Sequence, residues 1–181
     1  AGSWQAENFA ARGSNLELLL KPALDAGVLD IFDRMAAPDA TGVPFPEPYR
    51  RAVLGHRPYS ELLDEYRRYA CFLNVNSVTT SPTMCARRVF ELLACGTPVI
   101  STPSRAIDEL FGDTVITVDS ATATTAAIEQ LLGDDDHRAR VVHRGYRLVM
   151  SQHTYSHRVD TILEQLGIAP ATQPPSVTVI A

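Results

Sequence analysis

The chain has 181 residues, of which 45% are hydrophobic and 20% are charged, and its formal net charge is −5. A chain of this length can bury about 70% of its unfolded surface in one core. The negative charge and the lack of a basic stripe argue against a nucleic-acid-binding surface. No apolar run approaches the roughly 20 residues of a membrane span, and the first residues lack the pattern of a signal peptide.

The three cysteines, Cys71, Cys85 and Cys95, lie mostly in apolar sequence and lack the spacing of metal ligands. Their odd number and their context favour buried free thiols in a reducing compartment over a redox role. We therefore expect a cytoplasmic protein without a bound metal and without a transmembrane segment.

Strand-like and helix-like segments alternate along the chain, which is typical of a parallel sheet covered by helices on both faces. In the first of them, Asn15 is predicted to cap a helix that ends near Gly27, with Pro22 kinking or splitting it. A proline-rich exposed loop is predicted for residues 36–49. The predicted strands are Val28 to Phe32, Arg51 to Leu54, Cys71 to Val75, Val99 to Ser101 and Thr114 to Val118.

Amphipathic periodicity predicts further helices between these strands. Ser60 is predicted to cap one that turns Leu62, Leu63, Tyr66 and Tyr69 inward. The others are Arg87 to Leu93, Ala106 to Leu110, Thr122 to Leu132, Asp135 to Met150 and Tyr155 to Leu166. The predicted fold class is therefore α/β, a Rossmann-like parallel sheet with helices on both faces and extra C-terminal helices.

The stretch from Asn74 to Thr102, NVNSVTTSPTMCARRVFELLACGTPVIST, is the most informative part of the chain. It predicts a buried strand, a Ser/Thr/Pro turn, a helix that stops at Gly96, and a second buried strand. The helix begins with Arg87 and Arg88, and cations there oppose the helix dipole by roughly 0.3–1 kcal/mol each. This local cost suggests that an anion binds at the start of the helix.

Open α/β sheets bind ligands at the carboxyl ends of their strands. Three loops are predicted to converge there, namely Gly2 to Trp4, Gly55 to Tyr59 and Asn76 to Met84. The third leads into the helix of Arg87, whose unpaired N–H groups can receive a phosphate. Neither a G-x-G-x-x-G nor a G-x-x-x-x-G-K motif is present, which argues against a Rossmann dehydrogenase and a P-loop NTPase.

The same segment resembles the donor-binding half of GT-B glycosyltransferases, in particular the family 1/4-like branch that includes the CgeB-like proteins. The resemblance is carried by RVFELLACGTPV, from Arg88 to Val99. Weaker matches follow in the expected order at Gly55-His56, Leu62 to Tyr69, and His153 to Tyr155 with Arg158. Together they span most of the chain.

The resemblance implies a metal-independent glycosyltransferase, with a nucleoside-diphosphate sugar as co-substrate and no cofactor. It implies that Glu91 accepts hydrogen bonds from the ribose 2′- and 3′-hydroxyls, and that the turn from His56 receives the base. Loop amides would cradle the pyrophosphate, and Arg87 or, preferably, Arg88 would neutralise it. The donor-binding residues predicted in this way are Glu91, Arg88, Arg87, Ser81, Thr83, Met84, His56, Tyr59, Gly2 and Ser3.

One position departs from the family pattern. Many retaining members carry two glutamates with seven residues between them, and here the first of these positions is Thr83. The acidic contact to the donor sugar is therefore not carried over, and retaining or inverting stereochemistry stays open. The missing acid leaves a non-catalytic nucleotide- or sugar-binding regulatory module as the alternative function.

Several candidate residues also have structural interpretations. His56 could bind a loop carbonyl, Tyr59 could sit at the edge of the core, and Trp4 could close over a ligand or pack on a loop. His153 lies next to a helix cap, which favours a structural role. The run Asp134-Asp135-Asp136 contains the spacing of a GT-A metal site, but it follows a glycine and opens a helix, so helix capping is preferred.

Residues 1–168 are expected to form the nucleotide-sugar-binding domain, beginning with the tail of a strand at Ala1-Gly2-Ser3. Residues 169–181 are expected to be a proline-rich linker followed by a possible first strand of another domain, such as a second transferase. A GT-B enzyme also needs an acceptor-binding domain, which is expected elsewhere in a longer parent chain. The fragment alone is therefore expected to bind a donor and to be inactive.

Overall fold

The computed structural model describes residues 2–4 and 12–168, and the expected linker at 169–181 lies outside them. The strands among the described residues are β1 (Ile31–Phe32), β2 (Val53–Gly55), β3 (Phe72–Asn74), β4 (Val99–Ser101) and β5 (Ile116–Thr117). The α-helices are α1 (Arg12–Asp25), α2 (Tyr59–Tyr66), α3 (Arg87–Ala94), α4 (Arg105–Phe111), α5 (Ala121–Gly133), α6 (Asp135–Gln152) and α7 (Tyr155–Gln165). Short 3-10 turns lie at Arg34–Ala36, Tyr49–Ala52 and Gly112–Thr114.

All strand pairs are parallel. β1 pairs with β2, and Gly2 forms a parallel bridge to Asp33 at the end of β1. β3, β4 and β5 pair in that order as a three-stranded sheet. Since α2, α3 and α4 connect the successive strands from β2 to β5 and all pairs are parallel, the α/β, Rossmann-like fold class is confirmed.

Helix α3 forms and ends as its sequence predicts. Gly96 has a φ of +75°, and its N–H donates to Leu93 O at 3.1 Å, while Thr97 N–H donates to Leu92 O at 2.9 Å. These are the two bonds of a Schellman motif, which needs a residue with positive φ after the helix. The chain then turns directly into β4.

The described residues form three apolar clusters, and two of them flank the sheet of β3, β4 and β5. Val89, Leu92 and Leu93 of α3 are at most 1% exposed and pack with Val99, Ile107 and Phe111. On the other side, Leu19 and Ala23 of α1 pack with α5 and with Ile100 of β4. The sheet of β3, β4 and β5 therefore lies between α3 on one face and α1 with α5 on the other.

The prediction that Asn15 caps α1 is wrong, because Asn15 lies inside the helix. Pro22 also lies inside α1, which continues through it as one helix rather than two. The leucine face explains both results, because Leu16, Leu19, Leu20 and Leu24 are all buried as predicted. Burial of this face outweighs the hydrogen bond that Pro22 cannot make.

The segment around β2 also differs from the prediction. A 3-10 turn occupies Tyr49–Ala52, so the strand begins at Val53 rather than at residue 51. Ser60 lies within α2, whose N-cap is Pro58 in an extended conformation with ψ 152°. Tyr66 is buried as predicted, whereas Leu63 is 36% exposed.

The proline-rich loop is anchored rather than fully exposed. Phe45 and Tyr49 are 4% and 1% exposed. The ring centroid of Trp4 lies 5.6 Å from that of Phe45 and 5.5 Å from that of Tyr49. Of the two alternatives for Trp4, the structure therefore shows packing on a loop.

The last helix differs from the others in burial. None of the residues of α7 is buried, and Val159, Ile162 and Leu166 on its apolar stripe are 53%, 55% and 67% exposed. Within the described part of the chain, no helix combines the length and the apolar character needed to cross a bilayer.

Candidate functional site

A cleft of about 710 Å³ opens where β1, β2 and β3 end. Its walls are formed by the residues that follow these strands, which are Asp33 and Arg34 after β1, His56 and Arg57 after β2, and residues 75–78 after β3. The first turns of α3 complete the wall. This is the edge at which open parallel sheets place their ligands.

Most of the residues singled out in the sequence meet in this cleft. Its lining includes Gly2, Ser3, His56, Tyr59, Met84, Arg87, Arg88 and Glu91. Ser81 and Thr83 are not among the lining residues. Instead, Ser81 Oγ accepts hydrogen bonds from the N–H groups of Thr83 and Met84, at 3.4 and 3.1 Å. These two amides are therefore already bound within their own loop.

Glu91 lies on the cleft wall with its side chain 16% exposed. Its Oε1 accepts a hydrogen bond from Tyr59 Oη at 2.7 Å and pairs with Arg87 Nε at 2.7 Å. The guanidinium of Arg87 also lies over the Tyr59 ring, 4.7 Å from its centroid. Each of the three side chains thus contacts the other two, and we refer to them as the Glu91 cluster.

The charges in the Glu91 cluster affect its two donors. The hydrogen bond to Glu91 is the main reason that the pKa of Tyr59 is raised. The attraction of Glu91 likewise raises the pKa of Arg87. Both groups therefore remain protonated donors at neutral pH.

Three arginines that reach the cleft from separate elements, Arg12, Arg34 and Arg88, form what we call the arginine cluster. Arg12 Nη1 donates to Ser77 Oγ at 2.7 Å, and its Nη2 donates to the carbonyl of Ser3 at 3.4 Å. Arg34 Nη2 donates to Ser3 Oγ at 3.3 Å. The two arginines thus converge on Ser3.

Arg88 approaches the same place from α3. A Cβ placed on Gly2 would lie 3.4 Å from Arg88 Nη1, so this guanidinium is close to the backbone of the first described residue. The arginine cluster therefore surrounds Gly2 and Ser3.

The arginines of the cleft lie close enough to repel one another. Burial lowers the pKa of Arg12, and the charge of Arg88 lowers it further. Burial also lowers the pKa of Arg88, and Arg34 adds to this effect while Tyr66 and Glu91 oppose it. The cleft lining contains five arginines against two carboxylates, although the chain has a net charge of −5. Such a concentration of positive charge favours a bound anion.

A buried polar network fixes the loop that carries Ser77. Asn76 donates from its backbone N–H to Thr102 Oγ1 at 3.1 Å and from Nδ2 to Ser101 Oγ at 3.0 Å. Asn74 Nδ2 donates to the same Ser101 Oγ, also at 3.0 Å. All four side chains are at most 5% exposed. The loop therefore leaves β3 in a defined direction.

Sequence reasoning did not identify Arg12 or Arg34, and it included Ser77 only as part of the loop from Asn76 to Met84. Arg12 and Ser77 are 65 residues apart and meet only in the fold. The available signal was positional, because Arg34 and Ser77 each follow the end of a strand by two or three residues.

Two other candidate sites have structural roles, as expected. His153 packs on the rings of Phe90 and Phe111, and its Nε2 lies 3.0 Å from the carbonyl of Leu110. Asp134 caps α6 by accepting the N–H of His137 at 2.8 Å, which confirms the capping interpretation of the acidic run. Neither residue lines the cleft.

The three cysteines are free thiols with partly buried side chains. Burial raises the pKa of Cys71 to about 11, so its thiol is protonated at neutral pH. Within residues 2–4 and 12–168, no group of three or more His, Cys, Asp or Glu side chains is arranged to hold a metal ion.

Comparison with known protein families identifies the class of this domain. A family model described as glycosyl transferase-like matches residues 18–164. This range covers most of the chain, so the chain belongs to the glycosyl transferase-like family. Membership supports a transferase acting on sugars and does not favour the regulatory-module alternative. No curated protein matches the chain in sequence.

Proposed function

We propose that this chain is the donor-binding half of a GT-B glycosyltransferase, of the CgeB-like branch, which moves a sugar from a nucleoside-diphosphate sugar to an acceptor. One observation carries the proposal. A single cleft at the strand ends combines a carboxylate, Glu91, with the arginine cluster. A nucleoside-diphosphate sugar has the matching parts, a ribose diol and a diphosphate.

Glu91 is proposed to bind the ribose. Among the described residues, Tyr59 and Arg87 contact its Oε1, one by a hydrogen bond and one by an ion pair, so Oε2 is available for the ribose 2′- and 3′-hydroxyls. Hydrogen bonds to a charged group contribute roughly 1.5–3 kcal/mol each. The base is proposed to lie against the turn that begins at His56, which lines the same cleft.

The arginine cluster is proposed to bind the diphosphate. Arg88 is favoured over Arg87, because its guanidinium lies beside Gly2 and close to Arg12 and Arg34. As the glycosidic bond breaks, negative charge grows on the leaving diphosphate. Fixed cations that are in place beforehand stabilise this charge more than they stabilise the ground state. Loop 76–84 contributes through Ser77, which holds Arg12 at 2.7 Å.

The remaining expectations about the parent protein are part of the same proposal. Residues 1–168 act as the donor domain, and an acceptor-binding domain of the parent chain completes the enzyme. Nucleoside-diphosphate sugar is the co-substrate, without a further cofactor. A cytoplasmic location remains a prediction from the free cysteines.

Titration of the chain with UDP, GDP, ADP and TDP by calorimetry tests the proposal. We expect one of them to bind, and Glu91→Gln to weaken that binding by about tenfold or more, which corresponds to about 1.4 kcal/mol. Pyrophosphate, which has no ribose, should bind Glu91→Gln at least as tightly as the wild type.

Glu109→Gln is the matched control, because Glu109 forms the same type of i, i+4 pair, with Arg105 at 2.6 Å, outside the cleft. It should leave all affinities unchanged. Absence of binding by any of the four nucleotides, or equal affinity of the wild type and Glu91→Gln, would overturn the assignment.

A further inference from the structure

The Glu91 cluster joins the first residues of two helices at the mouth of the cleft. Tyr59 begins α2 and Arg87 begins α3, one turn before Glu91. Both donors bind the same carboxylate oxygen, each at 2.7 Å. The Arg87 guanidinium rests on the Tyr59 ring, so neither donor can move away without breaking a second contact.

In this arrangement, the Glu91 carboxylate can still accept further hydrogen bonds. An ionised carboxylate has about four lone-pair sites, two on each oxygen. Tyr59 donates a hydrogen bond to Oε1 and Arg87 forms an ion pair with the same oxygen, whereas Oε2 has no hydrogen bond to a described residue. The remaining capacity therefore equals the number of ribose hydroxyls that the proposed donor presents.

A carboxylate held in this way has little rotamer freedom left to lose. A free glutamate side chain loses its rotamer entropy when a ligand binds it, and that loss weakens binding. Here a hydrogen bond from Tyr59 and an ion pair with Arg87 already fix the side chain, which is only 16% exposed. The cluster is thus organised before a ligand arrives.

We infer that Tyr59 and Arg87 are positioning residues, which hold Oε1 of Glu91 so that Oε2 can receive the ribose hydroxyls of the donor. The inference rests on the proposed function, since it requires that Glu91 contacts the ribose. It assigns Tyr59 and Arg87 an indirect role through Glu91, in place of direct contact with the base or the diphosphate.

The variant Tyr59→Phe tests this role with a minimal change. It removes the hydroxyl and keeps the ring on which Arg87 rests, at a residue that is 52% exposed, so folding is not at risk. We expect the affinity for the tightest-binding nucleoside diphosphate to fall about three- to tenfold. The affinity for pyrophosphate should not change, because pyrophosphate makes no contact with Glu91. The 2′,3′-dideoxy form of the same nucleotide should bind both proteins equally.

Two further variants sharpen the test. Arg87→Met should weaken nucleotide binding in the same way, and Arg87→Lys should restore part of the loss by keeping a donor and a charge. Tyr155→Phe is the matched control, because Tyr155 is 81% exposed near the cluster and makes no hydrogen bond to Glu91.

The outcomes separate this inference from the proposed function. If the wild type binds a nucleoside diphosphate and Tyr59→Phe binds it equally well, the positioning role is refuted. Tighter binding by Tyr59→Phe would also refute it, since Tyr59 would then compete with the ribose for Glu91. If the wild type binds none of the nucleotides, the proposed function itself has failed.

Discussion

The two sides of α3 are built in opposite ways. On the core side, Val89, Leu92 and Leu93 have at most 1% of their surface exposed and pack against apolar side chains. On the cleft side, Arg88 is crowded by Arg12 and Arg34, and burial and like charge lower the pKa of its guanidinium. One helix thus carries both a strongly stabilising surface and an electrostatically strained one.

Within the eight residues of α3, one side therefore contributes to folding and the other side to binding. Apolar burial stabilises the domain whether or not a ligand is present. Crowded cations oppose folding slightly, and an anion that binds them offsets their mutual repulsion. Substitutions on the core side should therefore change the free energy of unfolding, whereas substitutions on the cleft side should change affinity.

The largest effect is expected at the centre of the core side. Leu92→Ala should lower the free energy of unfolding by about 2–5 kcal/mol, because it leaves a cavity in a fully packed site. Chemical denaturation followed by circular dichroism measures this change. Leu166→Ala, at the C-cap of α7, is the control, since Leu166 is 67% exposed, and it should change stability by less than about 0.5 kcal/mol. Equal losses in the two variants would contradict the comparison.

A smaller effect is expected where α3 ends. Gly96→Ala should cost about 1–2 kcal/mol, because the φ of +75° is unfavourable for any residue with a Cβ. The added Cβ would also lie 3.4 Å from Val142 Cγ1. Gly133→Ala at the end of α5 meets no atom within 4 Å and should be neutral or stabilising. In thermal unfolding, Gly96→Ala should lower the melting temperature, whereas Gly133→Ala should leave it unchanged or raise it. If Gly96→Ala were as stable as the wild type, the positive φ at this position would not disfavour a residue with a Cβ.

The smallest effect on stability is expected in the arginine cluster. Arg34→Gln loses one weak hydrogen bond of 3.3 Å and relieves repulsion on Arg88, so the free energy of unfolding should change by only a few tenths of a kcal/mol. Its affinity for pyrophosphate should nevertheless fall several-fold, as calorimetry can measure. Arg144→Gln, which breaks a surface pair with Asp113 outside the cleft, should leave this affinity unchanged. If Arg34→Gln instead lost much stability and bound pyrophosphate as tightly as the wild type, Arg34 would act in folding rather than in binding.

The sequence predicted what depends on local patterns. The α3 helix, its stop at Gly96 and the flanking strands follow from hydrophobic period and from glycine placement, so they were found within one or two residues. The cap predicted at Asn15 was wrong, because a helix start depends on the whole buried face rather than on one capping residue. Local sequence patterns therefore predicted whether a segment forms a helix or a strand better than they predicted where it begins and ends.

The candidate site was predictable only in part, for a related reason. Glu91 and Arg88 belong to a motif that can be read along the chain, and both line the cleft. Arg12 and Arg34 come from α1 and from the turn after β1, and their meeting at Ser3 is a property of the fold. The same holds for Tyr59 and Glu91, which are 32 residues apart and share a hydrogen bond.

Helix α7, with its exposed apolar stripe, adds little buried surface to the part of the domain that folds cooperatively. Local opening requires little free energy where few apolar groups are buried, and no residue of α7 is buried. His153 is the last residue whose ring packs on the core, through Phe90 and Phe111. We therefore expect α7 to open locally at a lower free energy than the sheet and the apolar clusters, so that the cooperatively folded unit ends close to His153.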